Sequence, residues 1–179
     1  MKPFSVQRLG ATLAAILTLG VIFAAQPASA TTTRDDGVIT GVSASVDKKT
    51  AAPGDVLTLT LSLTNTESTP ITFAYEWIGP SFPSNTLTGA FTFTSCGGEQ
   101  VDCGVNGNVV GFHPTAPIEP GATRTVTATV RITDTPTWGT APYTLNWAPY
   151  VYAEYGYPVT KTRSGPFLDG MPGLQTVIS

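Results

Sequence analysis

Residues 57–64 constrain this chain more than any other stretch. Leu57, Leu59, Leu61 and Leu63 alternate there with Thr58, Thr60, Ser62 and Thr64. A period of two places every leucine on one side of an extended backbone and every hydroxyl on the other. A helix would scatter the same leucines around its circumference. The segment is therefore a strand that must bury one face and wet the other. Threonine suits the wet face, because its β-branch favours extended backbone and its hydroxyl hydrates a surface without charge.

The pattern recurs along the chain. Ile71, Phe73, Tyr75 and Trp77 alternate in a third strand, and Phe91 and Phe93 alternate with Thr92 and Thr94 in a fourth. Val126, Ala128, Val130 and Ile132 alternate with Thr125, Thr127, Thr129 and Arg131. Val38–Val46, Val109–Val110 and Thr144–Ala153 complete the set. Pro53-Gly54 and Pro120-Gly121 mark tight turns, with proline fixing φ at the first corner and glycine free to take positive φ at the second. Short strands divided by turn signals, with no helical period between them, predict an all-β antiparallel sandwich of about seven strands.

The first 30 residues follow a different rule. A basic start (Lys2, Arg8) leads into an apolar run from Leu9 to Ala25 and ends in Ala28-Ser29-Ala30. That is the pattern of a secretory signal peptide, cleaved after Ala30. The expected organisation is residues 1–30 signal peptide, 31–37 flexible leader, 38–160 sandwich and 161–179 C-terminal tail. Nine basic residues stand against twelve acidic ones; losing Lys2 and Arg8 leaves seven against twelve, a formal charge of −5. An acidic surface argues against nucleic acid and anionic lipid as partners, so membrane contact is expected only through the transient signal peptide. In an exported chain with only two cysteines, closely spaced, Cys96 and Cys103 are expected to form a disulfide.

Candidate chemistry is sparse. His113 is the sole histidine, and one histidine makes neither a zinc site nor a triad unaided. The carboxylates Asp35, Asp36, Glu99, Asp102, Glu119, Asp134 and Glu154 lie mostly in expected loops, and no stretch forces two into the facing pair that glycoside hydrolysis needs. Glu99, Asp102, Asn106 and Asn108 offer oxygen donors for calcium but lack an EF-hand order, and solvated loop polarity is the plainer reading. No catalytic residue, metal ligand or cofactor is assigned. The aromatic residues are the best functional lead. Trp138, Tyr143, Trp147, Tyr150, Tyr152, Tyr155 and Tyr157 crowd into about 20 residues. Trp77 and Trp147 are expected in the core, and surface contacts are expected from among Tyr150, Tyr152, Tyr155 and Tyr157.

Two stretches carry a family likeness. Val46–Asn65 reads V-D-K-K-T-A-A-P-G-D-V-L-T-L-T-L-S-L-T-N, and Ile118–Ile132 reads I-E-P-G-A-T-R-T-V-T-A-T-V-R-I. This resembles the secreted bacterial immunoglobulin-like modules called "domain of unknown function 11" and the related cell-adhesion-related bacterial modules. In these a Pro-Gly-Asp turn opens a threonine-rich strand ending in Thr-Asn, and a second Pro-Gly turn opens another. The resemblance implies an immunoglobulin-like sandwich and no active site. The expected function is a non-catalytic, secreted or cell-envelope interaction module of a bacterium, binding a cell-wall component or an extracellular protein. The alternative is a stand-alone carbohydrate-binding module that uses exposed aromatic rings.

Overall fold

The computed structural model describes residues 35–87, 89–98, 101–133, 142–165 and 174–179. The expected signal peptide, Trp138, Glu99 and Asp134 lie outside these residues. Twelve strands are described: β1 (Asp35–Val38), β2 (Val42–Val46), β3 (Thr50–Ala51), β4 (Val56–Thr64), β5 (Ile71–Pro80), β6 (Phe91–Gly98), β7 (Val101–Asn106), β8 (Val109–Pro114), β9 (Thr123–Ile132), β10 (Tyr143–Tyr155), β11 (Lys161–Gly165) and β12 (Gln175–Ile178). They form two sheets. The small sheet runs β2-β4-β9-β6, and the large one runs β1-β11-β10-β5-β8-β7, with β12 bridging β10 and β3. All pairings are antiparallel except β1 with β11 and β12 with β3. The fold is an immunoglobulin-like β-sandwich.

The leucine–threonine strand behaves as its alternation requires. Leu57, Leu59, Leu61 and Leu63 are almost wholly buried, opposite Val130, Ala128, Val126 and Arg124 of β9. From the large sheet, Ile78, Phe112, Trp147 and Val151 meet them in one continuous core. Trp147 is fully buried and packs edge-on against Phe91 at 5.0 Å and Phe93 at 6.1 Å. Its indole N–H donates to Thr176 Oγ1 at 3.5 Å, so the polar end of the ring keeps a partner inside.

The two stretches that carry the family likeness touch each other. Asn65 is buried; its side-chain Nδ2 donates to the carbonyls of Thr69 and Ile118, each at 2.9 Å, and its Oδ1 accepts the Glu67 N–H at 3.0 Å. Its backbone N–H donates to Ala122 O and its carbonyl accepts from Gly121 N–H. The Thr-Asn end of one strand thus clamps the second Pro-Gly turn. Gly54 and Gly121 take φ of 86° and 78°, as their turns require. At the first turn Asp55 accepts the Ala52 N–H at 2.9 Å, and this bond, with Lys48 beside it, holds the Asp55 carboxyl below the ordinary carboxylate range.

Five of the twelve strands go beyond the seven-strand expectation. Residues 35–37, expected in the flexible leader, join Val38 in β1, and the strand expected over Val38–Val46 is broken near Gly41, where the chain passes from the large sheet to the small one. β3, β7, β11 and β12 are short, and none shows a long apolar–polar alternation. Lys161–Gly165 and Gln175–Ile178, expected in a surface tail, are strands, and Leu174 and Ile178 enter the core. Trp77 is a further correction. The alternation of Ile71, Phe73, Tyr75 and Trp77 is real, but beyond Ile71 it faces outward. Ala74, Glu76 and Ile78 are the buried set. Trp77 pairs with Tyr150, whose neighbours Val151 and Pro149 occupy the inner side of β10, so Trp77 must share Tyr150's outer face.

Candidate functional site

The outer face of the large sheet collects rings from three adjacent strands. β5 contributes Phe73, Tyr75 and Trp77; β10 contributes Tyr150 and Tyr152; β8 contributes His113. Register fixes their order, with Tyr150 opposite Trp77 and Tyr152 opposite Tyr75. Trp77 and Tyr150 lie 5.9 Å apart at 29°, an offset stack. His113 lies 5.0 Å from Tyr75 and 6.1 Å from Phe73, and Phe73 meets Tyr152 edge-on at 6.2 Å. The rings support one another yet stay wet; Phe73 is 42% exposed. Tyr75, Trp77, Tyr150 and Tyr152 are half-buried against one another, and such a cluster of rings on an outer face is a patch that folding alone does not require.

Tyr150 and Tyr152 belong to this face by the parity of β10: its odd-numbered residues from Leu145 onward are buried, and its even-numbered ones, apart from the buried Ala148, are partly exposed. The same parity sends Tyr155 inward. It is only 2% exposed, with the Lys161 ammonium 6.0 Å from its ring centre, and burial holds its hydroxyl above the ordinary tyrosine range. Tyr155 is therefore a packing residue. Tyr157, in the turn after β10, is 96% exposed.

The charge on the face is one-sided. Tyr152 donates its hydroxyl proton to Glu154 Oε1 at 2.8 Å, and Asp102 lies on β7 opposite His113. The nearby bases face the other way. Lys161 and Arg163 sit opposite Tyr155 and Ala153, two core residues, and reach Glu67 at 2.9 and 3.6 Å. Among the described residues the face therefore presents carboxylates and no lysine or arginine. Of the residues considered for calcium, Asp102 and Asn106 project from β7, and among the described residues no group of three His, Cys, Asp or Glu could hold a metal ion.

Cys96 and Cys103 form the expected disulfide. Cys96 belongs to β6 of the small sheet and Cys103 to β7 of the large one, so the bond fastens the two layers together where the chain crosses between them. It also anchors β7, the edge strand beside the aromatic face. Directly beneath that face lies Glu76. It is fully buried, neither carboxylate oxygen has a hydrogen-bond partner among the described residues, and desolvation pushes its pKa up to about 8.

Sequence reasoning missed Phe73, Tyr75, Trp77 and His113 as members of one surface. Their own alternation gave no cue, since large aromatics read equally well as core. The cue lay in β10, where Tyr150 and Tyr152 share a parity opposite to Trp147.

No protein-family model and no curated protein matches the sequence. Solved structures share the fold. A Corynebacterium diphtheriae protein described as membrane-anchored overlaps with a TM-score of 0.53 at 14% identity, over 77% of this chain and 35% of that one. The N-terminal domain of the Streptococcus gordonii adhesin Sgo0707 overlaps with a TM-score of 0.50 at 8% identity, over 79% of this chain and 33% of that one. This chain thus spans about a third of the length of each.

Proposed function

We propose that this chain is a non-catalytic interaction module of a bacterial envelope, exported by the Met1–Ala30 signal peptide, that holds a wall component or an extracellular protein against the outer face of its large sheet. The observation that carries the reading is the gathering of Tyr75, Trp77, Tyr150 and Tyr152 on a solvent-facing sheet surface. A sandwich needs only its inner faces for stability, and large rings left outside are the residues that anchor partners. The names of the two structural neighbours, an adhesin domain and a membrane-anchored protein, agree with an envelope setting. The Pro-Gly turns and the Asn65 clamp support kinship with the cell-adhesion-related modules that the sequence resembles. Tyr157 extends the contact set past the end of β10, and Tyr155 acts only through packing.

The test is co-sedimentation of the full chain, purified from an exporting bacterial host, with purified cell walls. Saturable pelleting that weakens in Trp77→Ala and in Tyr150→Ala is expected. Both variants pelleting like the parent would remove this face as the contact surface.

A further inference from the structure

The geometry points to a pocket for one neutral sugar ring of a glycan chain, set in the large sheet between the Tyr75 ring and the β7 edge. This rests on the proposal that the same face is the contact surface, and it names the ligand class. Register builds the pocket. Trp77 pairs with Gly111, and Gly111 pairs with Gly104, so one row across four strands reads Tyr150, Trp77, Gly111, Gly104. The next row reads Tyr152, Tyr75, His113, Asp102. Two rings therefore stand beside a floor made of bare backbone.

The space is about 390 Å³ and is lined by Tyr75, Asp102, Gly104, Asn106, Gly111 and His113. Ligand pockets run from roughly 300 to 1,000 Å³, so this one suits a ligand of one or two rings. The Tyr75 hydroxyl leans over Gly111, 3.3 Å from where a Cβ would stand, while a Cβ on Gly104 would meet nothing within 4 Å. Paired glycines weaken neighbouring strands, because they add backbone entropy to the unfolded chain and pack nothing. What they supply here is room.

The lining selects the ligand. An aromatic wall attracts C–H-rich ring faces, because its π-face is negative. Asp102, Asn106 and His113 rim the same space with donors and acceptors. A wholly apolar ligand would strip water from those groups and give nothing back. A ligand with an apolar face and a hydroxyl-bearing edge satisfies both, and that is the build of a pyranose. The Asp102 carboxylate, with no lysine or arginine among the described residues of the lining, disfavours phosphate- or uronate-bearing glycans.

The test is calorimetric titration of the full chain with cellotetraose and chitotetraose, and with trigalacturonate as the anionic control. Parent, Gly104→Val and Asp102→Ala are compared. Valine at an exposed edge position of a strand fills the trough and favours extended backbone, so Gly104→Val is expected to keep or raise the melting temperature. Saturable binding of a neutral oligosaccharide, at least about ten-fold weaker in Gly104→Val and weakened in Asp102→Ala, supports the pocket. No neutral binding, preference for trigalacturonate, or parent-like affinity in both variants overturns it. Wall pelleting lost in Trp77→Ala but intact in Gly104→Val would overturn the pocket and leave the contact face standing. Absence of both pelleting and oligosaccharide binding would overturn both.

Discussion

The two outer faces of this sandwich are built on the same alternation and do opposite things. The small sheet turns Thr58, Thr60, Ser62 and Thr64 of β4 outward beside Thr129, Thr127, Thr125 and Thr123 of β9. Its hydroxyls satisfy one another across the strands, Ser62 with Thr125 at 2.9 Å and Thr64 with Thr123 at 2.8 Å. Such a surface is hydrated and favourable to strands; beyond Arg131 at the end of its β9 row these two strands turn only hydroxyls and Val56 outward, and no aromatic ring. The large sheet turns Phe73, Tyr75, Trp77, Tyr150 and Tyr152 outward instead. That surface keeps apolar area in contact with water, a cost that makes sense only if something else covers it. Under the proposed function the hydroxyl face is scaffold and the aromatic face is the working surface.

The sharpest way to test this contrast compares two tryptophans. Trp147→Ala empties a fully buried site against Phe91 and Phe93 and should cost about 3–5 kcal/mol in denaturant unfolding. Trp77→Ala should cost clearly less, about 1–2 kcal/mol, since the ring is only partly buried on the outer face, while removing wall binding. Similar losses of stability from both would mean that Trp77 is structural.

The disulfide gives the next largest effect. Replacing Cys96 and Cys103 with alanine opens a loop with a sequence separation of 7 and should cost roughly 2–3 kcal/mol by chain entropy. Because the bond ties β6 to β7, Asp102 and Gly104 should lose hydrogen-exchange protection before β4 and β9 do. Equal loosening of both sheets would contradict the local role given to the disulfide.

Glu76 supplies a pH dependence. Its folded pKa, raised to about 8, lies above the value of 4.5 for a free glutamate, so the folded state holds a proton that the unfolded chain releases. This contribution to stability is fully present below about pH 4.5 and is lost as the pH rises through about 8. Inside that window the expected slope approaches 1.4 kcal/mol per pH unit. Glu76→Gln should flatten it, as read by melting temperature from pH 5 to 9. An unchanged slope would show that other groups carry it.

The smallest effect belongs to the hydroxyl face. Thr127→Ala should change stability by no more than about 0.5 kcal/mol and leave wall binding unchanged. Loss of binding in that variant would reverse the assignment of the two faces.

The same contrast explains what could be read from the sequence. In β4 the two faces differ in polarity, leucine against hydroxyl, so the side to bury was unambiguous. In β5 they do not differ in the useful way. Trp77 reads as core, yet the fold turns it outward with Phe73 and Tyr75 and buries Glu76 instead. The facing of a central strand is set by its register with β10 and β8, and register is a tertiary property. The shared parity of Tyr150 and Tyr152 was legible, but Tyr155 was grouped with them as a surface candidate, and it is the folded strand that turns it inward. The pairing of Gly104 with Gly111 was not legible, because β7 and β8 meet only through a hairpin whose register follows from the turn at Gly107.

The most direct test of the central claim is oxidative footprinting of the full chain with and without purified cell walls. Walls should slow oxidation of Tyr75, Trp77 and Tyr150 and leave Val56, 43% exposed on the hydroxyl face, reacting at its free rate. Protection of Val56 with the three rings unaltered, or no protection anywhere under saturating walls, would contradict the assignment of the aromatic face as the working surface.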